Sequence, residues 1–187
     1  MSNKLLILGS GGLGRMTLEA SEMLGYECFF LDDNIESPIV CGAKVLGKLD
    51  ELSSFVGKFD FCICAIGDNK LREKYNQLAI DLGFRVPNII HKTAYVSTFA
   101  RIGFGVILLN NVCIQNGAVL GNGVVVTANS EIHHDCVIGD YALIYSCSAI
   151  RTFAKIGKRA KIGSTVTISN SVIVPDDTVV ENGTTLK

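Results

Sequence analysis

Two adjacent histidines, in the stretch SEIHHDCVIGDYALI at 130–144, are the side chains of this sequence best suited to chemistry. His133 and His134 are followed directly by Asp135, and Glu131 is close by. An imidazole with a pKa of about 6.5 can accept a proton at neutral pH, and a neighbouring carboxylate fixes its tautomer and stabilises the imidazolium that forms. The stretch is compatible with proton transfer, metal binding or a solvated surface pair, and the fold around it must decide.

The element that must present these histidines is a six-residue repeat. From Ile90 to Leu186 every sixth residue is aliphatic, in seventeen positions without an insertion. Glycines recur every 18 residues, at Gly103, Gly121, Gly139 and Gly157, so three hexads make one coil. A period of six fits neither a helix nor a hairpin, and it is typical of a three-sided parallel β-helix.

This repeat places the histidines at a corner. Ile132 points inward, so His133 and His134 take the two positions that follow it and face out. A zinc site needs three or four ligands at fixed geometry. The residues one coil away are poor zinc ligands: Gln115, Asn116, Arg151 and Thr152. We therefore expect no metal, and proton transfer and a solvated surface pair remain open.

The first 86 residues follow a different pattern. KLLILGSGGLGRMTLEASEMLGYECFFLDDN predicts a strand, a glycine turn, a helix from about Leu13 to Met23 and a second strand. FDFCICAIGDNKLREKYNQLAIDLGF repeats the strand, the turn and the helix. We predict an α/β fold, with a small Rossmann-like parallel-sheet domain over residues 1–86 and the β-helix over residues 87–187.

The glycine turn matches a phosphate-binding pattern. Gly9, Gly11 and Gly14 satisfy G-x-G-x-x-G between a strand and a helix, with Asp32 and Asp33 following 18 and 19 residues after the last glycine. Such glycines let backbone N–H groups at a helix N-terminus approach a phosphate. A full dinucleotide fold needs about twice the chain present before the repeat begins. A mononucleotide or nucleotide sugar therefore fits better than NAD(P), and a purely structural turn is the remaining alternative.

Composition narrows the partners. The formal charge of −1 gives no long-range attraction for nucleic acid or anionic membranes. No apolar run approaches the roughly 20 residues that span a bilayer, and no signal-peptide pattern is present. The seven cysteines are odd in number and scattered, so we expect reduced thiols. These features predict a soluble cytoplasmic protein without a nucleic-acid or membrane partner.

Several motifs together point to a known family. ILGSGGLG, FFLDD, AIGDNKLREK, VPNIIH, the unbroken hexads and IHHDCVIGD resemble bacterial sugar acetyltransferases, the group that includes sialic acid O-acetyltransferase and the N-acetyltransferases of UDP-4-amino-4,6-dideoxy sugars. The resemblance covers nearly the whole chain. It implies a left-handed parallel β-helix, a homotrimer with active sites between neighbouring β-helices, acetyl-CoA as cosubstrate, and a sugar or nucleotide-sugar acceptor.

The resemblance also implies roles for individual residues. The family's general base is the histidine of an H-[DE]-C-x-I-G motif, which falls on His134, with Asp135 as its carboxylate and His133 beside the acceptor. Asp32 and Asp33 fall on the acids that contact uracil in UDP-sugar members. The glycines implied in substrate binding are Gly9, Gly11, Gly12 and Gly67.

The sequence departs from the family at three places. Some members carry a second histidine nine residues after the base, where this chain has Leu143. Where those members have a glycine whose backbone N–H meets the thioester oxygen, this chain has Thr152, whose own backbone N–H can donate that bond. The usual tail G-x-P-A-K is replaced by ENGTTLK. We expect CoA contacts at Leu143, Arg151, Lys155, Lys158 and Lys161, with a solvated basic face as the alternative.

An apolar column predicts assembly. Ile107, Val125 and Leu143 recur every 18 residues at outward positions. A monomer should avoid an exposed apolar stripe, so we expect this column to be exposed in the single chain and to form part of a trimer interface.

These features predict an acetyl-CoA-dependent acetyltransferase. The expected reaction is N-acetylation of the amine of a UDP-type 4-amino-4,6-dideoxy sugar, by direct transfer with a histidine general base. An O-acetyltransferase acting on sialic acid or a related sugar is one alternative. A non-catalytic trimeric scaffold that binds a nucleotide sugar is another.

Overall fold

The computed structural model describes residues 3–34 and 37–187. The chain divides into two compact units, residues 1–89 and 90–187. Each unit has a hydrophobic core of its own. None of the helices in the described part of the chain is long and apolar enough to cross a membrane.

The first unit is built on a three-stranded parallel sheet, as predicted. The bounds are β1 Lys4–Leu8, α1 Gly12–Met23, β2 Glu27–Leu31, β3 Ile39–Val40, β4 Ala43–Lys44, the 3₁₀ helix Leu49–Phe55, β5 Phe61–Cys64 and α2 Asn69–Asp81. The strand order is β2-β1-β5, with Leu8 opposite both Leu31 and Cys64. A β3–β4 hairpin and the 3₁₀ helix complete the unit, and neither was predicted.

The topology of this sheet gathers the predicted nucleotide-binding residues at one edge. All three strands run parallel, so their carboxyl ends lie together. The glycine turn follows β1, Asp32 and Asp33 follow β2, and Gly67 follows β5. In open parallel sheets this edge is where ligands bind.

The cysteines of β5 pack as small hydrophobic residues. Cys62 and Cys64 are both 0% exposed and both belong to the core of the first unit. Burial raises the pKa of the Cys64 thiol to about 12, so the reactive thiolate is suppressed at neutral pH. All seven cysteines of the chain are free thiols.

The second unit is a left-handed parallel β-helix, which confirms the predicted fold class. Its two-residue strands stack into three sheets of six, five and six strands. Each strand pairs in parallel with the strand 18 residues away, as Ile114 does with Ile132. The bounds are β6 Ile89–Ile90, β7 Tyr95–Val96, β8 Arg101–Ile102, β9 Ile107–Leu108, β10 Cys113–Ile114, β11 Val119–Leu120, β12 Val125–Val126, β13 Glu131–Ile132, β14 Val137–Ile138, β15 Leu143–Ile144, β16 Ala149–Ile150, β17 Lys155–Ile156, β18 Lys161–Ile162, β19 Thr167–Ile168, β20 Ile173–Val174, β21 Val179–Val180 and β22 Thr185–Leu186.

The glycine corner is required by close stacking of the coils. A Cβ atom added at Gly139 would lie 2.6 Å from the backbone nitrogen of Lys158, and one added at Gly121 would lie 2.7 Å from that of Asp140. The next coil therefore leaves no room for a side chain at this corner. The residue after the glycine position can carry a carboxylate or amide that accepts a hydrogen bond from the preceding coil. Asp140 Oδ1, for example, accepts the backbone N–H of Asn122 at 2.7 Å.

The prediction that an apolar column is exposed in the single chain is wrong. Ile107, Val125 and Leu143 do stack in one column of the β9–β12–β15 sheet. In the single chain, however, they are 0%, 0% and 1% exposed, because other atoms of the same chain cover them. This column therefore offers no free apolar surface for a second copy.

Candidate active site

The two histidines lie at the corner that joins β13 to β14. The chain turns at His134 and Asp135, and Asp135 adopts the left-handed conformation with φ of +60°. Aspartate tolerates this conformation better than most residues do. The turn directs the side chains of His134 and Asp135 away from the interior, and about half of each side-chain surface is exposed.

His134 and Asp135 form a hydrogen-bonded pair. His134 Nδ1 lies 2.8 Å from Asp135 Oδ2. An ionised carboxylate can only accept a hydrogen bond, so Nδ1 carries the proton of the neutral ring and Nε2 carries the lone pair. Thr152 Oγ1, one coil away, lies 3.2 Å from Nε2 and donates to it. The ring is therefore held in the tautomer that a general base requires.

The neighbouring coils fix the position of this ring. Gln115 Oε1 accepts the backbone N–H of His134 at 3.1 Å. The ring of Phe153 meets the imidazole edge to face, with the centroids 5.8 Å apart. An open cleft of about 690 Å³ lies beside the pair, lined by Tyr95, Ser97, Thr98, Phe99, Gln115, Asn116, His134 and Asp135. His134 thus borders a cleft that is open to solvent.

His133 has a different partner. Its Nε2 lies 3.2 Å from Glu131 Oε2, and its side chain is 19% exposed, against 50% for His134. The structure therefore separates the two histidines, because only His134 combines a carboxylate at Nδ1 with a place on the cleft.

The glycine turn of the first unit leaves backbone groups accessible. Gly9 has φ of +98°, and an added Cβ would lie 2.8 Å from Ile66 Cγ1, so only glycine fits there. Added Cβ atoms at Gly11, Gly12 and Gly67 would meet nothing within 4 Å. Gly11 caps helix α1 without a side-chain hydrogen bond, and this helix has no acidic residue in its first turn. A helix N-terminus whose backbone N–H groups have no side-chain partner favours binding of an anion.

The two acids after β2 already have partners within the chain. Asp32 Oδ2 accepts the backbone N–H and the hydroxyl of Ser10, at 2.5 and 2.7 Å. Burial raises the pKa of Asp32, but the hydrogen bonds from Ser10 and from the backbone N–H groups of Asn34 and Asp33 outweigh it and leave the pKa below its ordinary value. Asp33 Oδ1 accepts the backbone N–H of Leu49 at the start of the 3₁₀ helix, at 2.9 Å. Both acids therefore have structural hydrogen bonds within the first unit, and their assignment to substrate binding stays a prediction.

Comparisons with known proteins identify the family. The sequence family described as the PglD N-terminal domain matches residues 4–78. The acetyltransferase domain of PglB from Neisseria gonorrhoeae, solved in complex with acetyl coenzyme A, is 31% identical with a TM-score of 0.93, over 98% of this chain and 90% of that domain. The chain belongs to the hexapeptide-repeat sugar acetyltransferases. This confirms the resemblance drawn from the sequence motifs.

The descriptions of two further similar proteins mention a substrate. PerB from Caulobacter crescentus, solved with CoA and GDP-perosamine, is 28% identical with a TM-score of 0.92, over 98% of this chain and 88% of that one. A GDP-perosamine N-acetyltransferase of Escherichia coli O157:H7 is 29% identical over 142 residues. This match spans 72% of the present chain and 64% of that protein's length.

The residues predicted to contact CoA are spread around the β-helix. Arg151 lies at the corner of the two histidines, Lys155 on β17, Lys158 at the glycine corner and Lys161 on β18. These four positions do not form one patch. Leu143 is buried in the single chain, so a ligand could contact it only if the atoms that cover it moved. The assignment of these residues to CoA binding stays a prediction.

Sequence reasoning missed the supports of the site. Gln115 was considered only as a metal ligand, and the aromatic residues Tyr95, Phe99 and Phe153 were not considered. All four lie 18 or 36 residues from Glu131, His133 or Asp135, so the repeat itself carried the signal. No group of three or more His, Cys, Asp or Glu that could hold a metal ion occurs within residues 3–34 and 37–187.

Proposed function

We propose that the protein is an acetyl-CoA-dependent N-acetyltransferase acting on the amine of a nucleotide-activated amino sugar. The observation that carries the proposal is the His134–Asp135 pair, which holds the proton at Nδ1 and leaves the lone pair at Nε2 of a half-exposed ring. The family membership supports the reaction class, and the names of PerB and the Escherichia coli enzyme support an amino sugar bound to a nucleotide.

His134 acts as the general base in this proposal. The sugar amine displaces the Thr152 hydroxyl from Nε2 and attacks the thioester carbonyl of acetyl-CoA. Nε2 accepts one proton of the amine as the new C–N bond forms, and Asp135 stabilises the imidazolium through Nδ1. General-base assistance of this kind contributes about 10²- to 10⁴-fold in rate.

The second half of the reaction breaks the C–S bond. The backbone N–H of Thr152 stabilises the oxyanion of the tetrahedral intermediate, a role that any residue except proline can fill at this position. The intermediate collapses to the amide, and the His134 imidazolium returns its proton to the departing CoA sulfur. Atoms and charge balance, and the base returns to its neutral form.

Nucleotide binding is assigned to the first unit. The accessible N-terminus of α1, with Gly11 and Gly12, suits a diphosphate. Asp32 and Asp33 are acceptors for donors of a base or ribose. The sequence motifs favoured uridine, whereas the named relatives act on or bind a guanosine diphosphate sugar, so the nucleotide is the part of the proposal that needs a direct test.

A homotrimer also remains a proposal. With the Ile107 column buried, its support is the family resemblance. Ile173 and Val179 are 68% and 60% exposed in the single chain, but they lie on strands of different sheets. Single exposed apolar side chains are ordinary at a protein surface, so these two do not mark an interface.

Thermal shift with a ligand panel tests the substrate class. We expect UDP- or GDP-4-amino-4,6-dideoxy sugars to raise the melting temperature, and one nucleotide series to do so more than the other, because a ligand that binds only the native state stabilises it. The free nucleotide and the N-acetylated product are the controls. Stabilisation by free sialic acid but by no nucleotide sugar would contradict the proposal and favour O-acetylation.

A further inference from the structure

Gly117 occupies the corner position one coil before Asp135. The two residues are 18 apart, and both adopt the left-handed conformation, with φ of +70° and +60°. Phe153 and Ser171 continue the column with φ of +61° and +62°. Three residues with side chains thus adopt this conformation at this corner, so the backbone alone does not demand a glycine at 117.

The space above Gly117 is filled by the carboxylate of Asp135. A Cβ atom added at Gly117 would collide with Asp135 Oδ1 and lie 3.3 Å from Asp135 Cγ. The other carboxylate oxygen, Oδ2, is the one that faces His134 Nδ1 at 2.8 Å. Because Gly117 has no side chain, the Asp135 carboxylate can pack against the preceding coil with Oδ2 directed at the imidazole.

The same coil also holds the backbone of the pair. The side chain of Gln115 accepts the N–H of His134, and the backbone carbonyl of Asn116 accepts the N–H of Asp135, both at 3.1 Å. These two hydrogen bonds hold the backbone of His134 and Asp135 in place. A methyl group at residue 117 would therefore make the Asp135 carboxylate rotate about its own side-chain bonds. That rotation moves Oδ2 away from Nδ1.

We propose that Gly117 is a positioning residue for the His134–Asp135 pair. The inference rests on the proposed function for its catalytic meaning, but its structural content is independent. A methyl group at 117 displaces the carboxylate, removes the acceptor from Nδ1 and releases the tautomer and orientation of the His134 ring. The fold itself is spared, because the obstructed atom is the end of a short side chain and not backbone.

The test compares Gly117→Ala with Gly183→Ala. Gly183 has the same φ of +70°, and an added Cβ there would lie no closer than 3.9 Å to another atom, so this control carries the backbone strain without the collision. Both variants are assayed for thermal stability, for acetyl transfer, and for the tautomer of the His134 ring, which the NMR chemical shifts of its two ring nitrogens report. A carboxylate at Nδ1 keeps the proton of the neutral ring on that nitrogen, so its displacement lets the proton move to Nε2.

We expect Gly117→Ala to shift the proton of the neutral His134 ring from Nδ1 toward Nε2 and to reduce kcat/KM on the order of 10- to 100-fold, which is a part of the roughly 10²- to 10⁴-fold that general-base assistance supplies. Gly183→Ala should change neither. In an Asp135→Ala background, Gly117→Ala should have no further effect on either quantity, because nothing is left to displace.

An unchanged His134 tautomer in Gly117→Ala, with activity equal to that of Gly183→Ala, would overturn the inference. An equal effect of Gly117→Ala with and without Asp135 would overturn it too, since the methyl group would then act elsewhere. A changed tautomer with no acetyl transfer by any form of the protein would support the positioning role and contradict the proposed function instead.

Discussion

The hydroxyl of Thr152 lies 3.2 Å from the nitrogen that must take a proton in the proposed reaction. Nε2 has a single lone pair in the ring plane, so the hydroxyl and the incoming amine compete for it. The hydroxyl stabilises the free enzyme and gives way when the acceptor binds. At the residue scale, Thr152 therefore has two separable groups, a side chain that competes with the acceptor and a backbone N–H that stabilises the oxyanion.

Thr152→Val separates these two groups, because valine keeps the shape and the backbone N–H but loses the hydroxyl. A hydrogen bond contributes about 1 kcal/mol, so we expect KM for the acceptor to fall by about 5-fold with kcat little changed. Thr152→Ser keeps the donor and should match the wild type. Steady-state kinetics with varied acceptor checks this, and a collapse of kcat in Thr152→Val alone would show that the hydroxyl itself moves the proton.

At the scale of the elements, each two-residue strand of the β-helix presents one side chain inward and one outward. In β19, Ile168 is fully buried and Thr167 beside it is partly exposed. Truncation of a buried isoleucine leaves a cavity that the stacked coils above and below, held by hydrogen bonds, cannot close.

We expect Ile168→Ala to lower the free energy of unfolding by about 2–5 kcal/mol. Thr167→Ala, on the same strand, should change it by no more than about 0.5 kcal/mol. Chemical denaturation of both variants measures the difference. Equal losses would contradict the assignment of inward and outward positions on which the location of the site depends.

The hexad period predicted these strands, their corners and the outward position of His134, because each depends on residues six or 18 apart. The same period did not predict that Ile107, Val125 and Leu143 would be covered, since what covers an outward position lies outside the repeat. The contact of Ser10 with Asp32 and that of Asp33 with Leu49 were also missed, because each joins residues far apart in the sequence. Local periodicity thus predicted the scaffold, and non-local contacts had to be read from the structure.

The whole molecule combines two units with different tasks in the proposed function. The first presents an uncapped helix N-terminus and two acids at the carboxyl edge of a parallel sheet. The second presents the histidine–aspartate pair at a corner of a rigid β-helix. A base placed on stacked coils is held by hydrogen bonds on both sides, which is the preorganisation that a direct transfer reaction requires.

In the proposed reaction His134 takes the proton from a sugar amine during acetyl transfer. The most direct measurement is the turnover of His134→Asn with acetyl-CoA and the nucleotide amino sugar that binds best. His91→Asn is the matched control, since His91 lies at another corner and bonds Thr93. Circular dichroism and calorimetry with acetyl-CoA verify that both variants fold and bind the cosubstrate.

We expect kcat of His134→Asn to fall by about 10²- to 10⁴-fold while His91→Asn keeps the wild-type value. Binding of acetyl-CoA should be retained in both variants, because the base is not required for it. Turnover of His134→Asn close to that of the wild type would contradict the account.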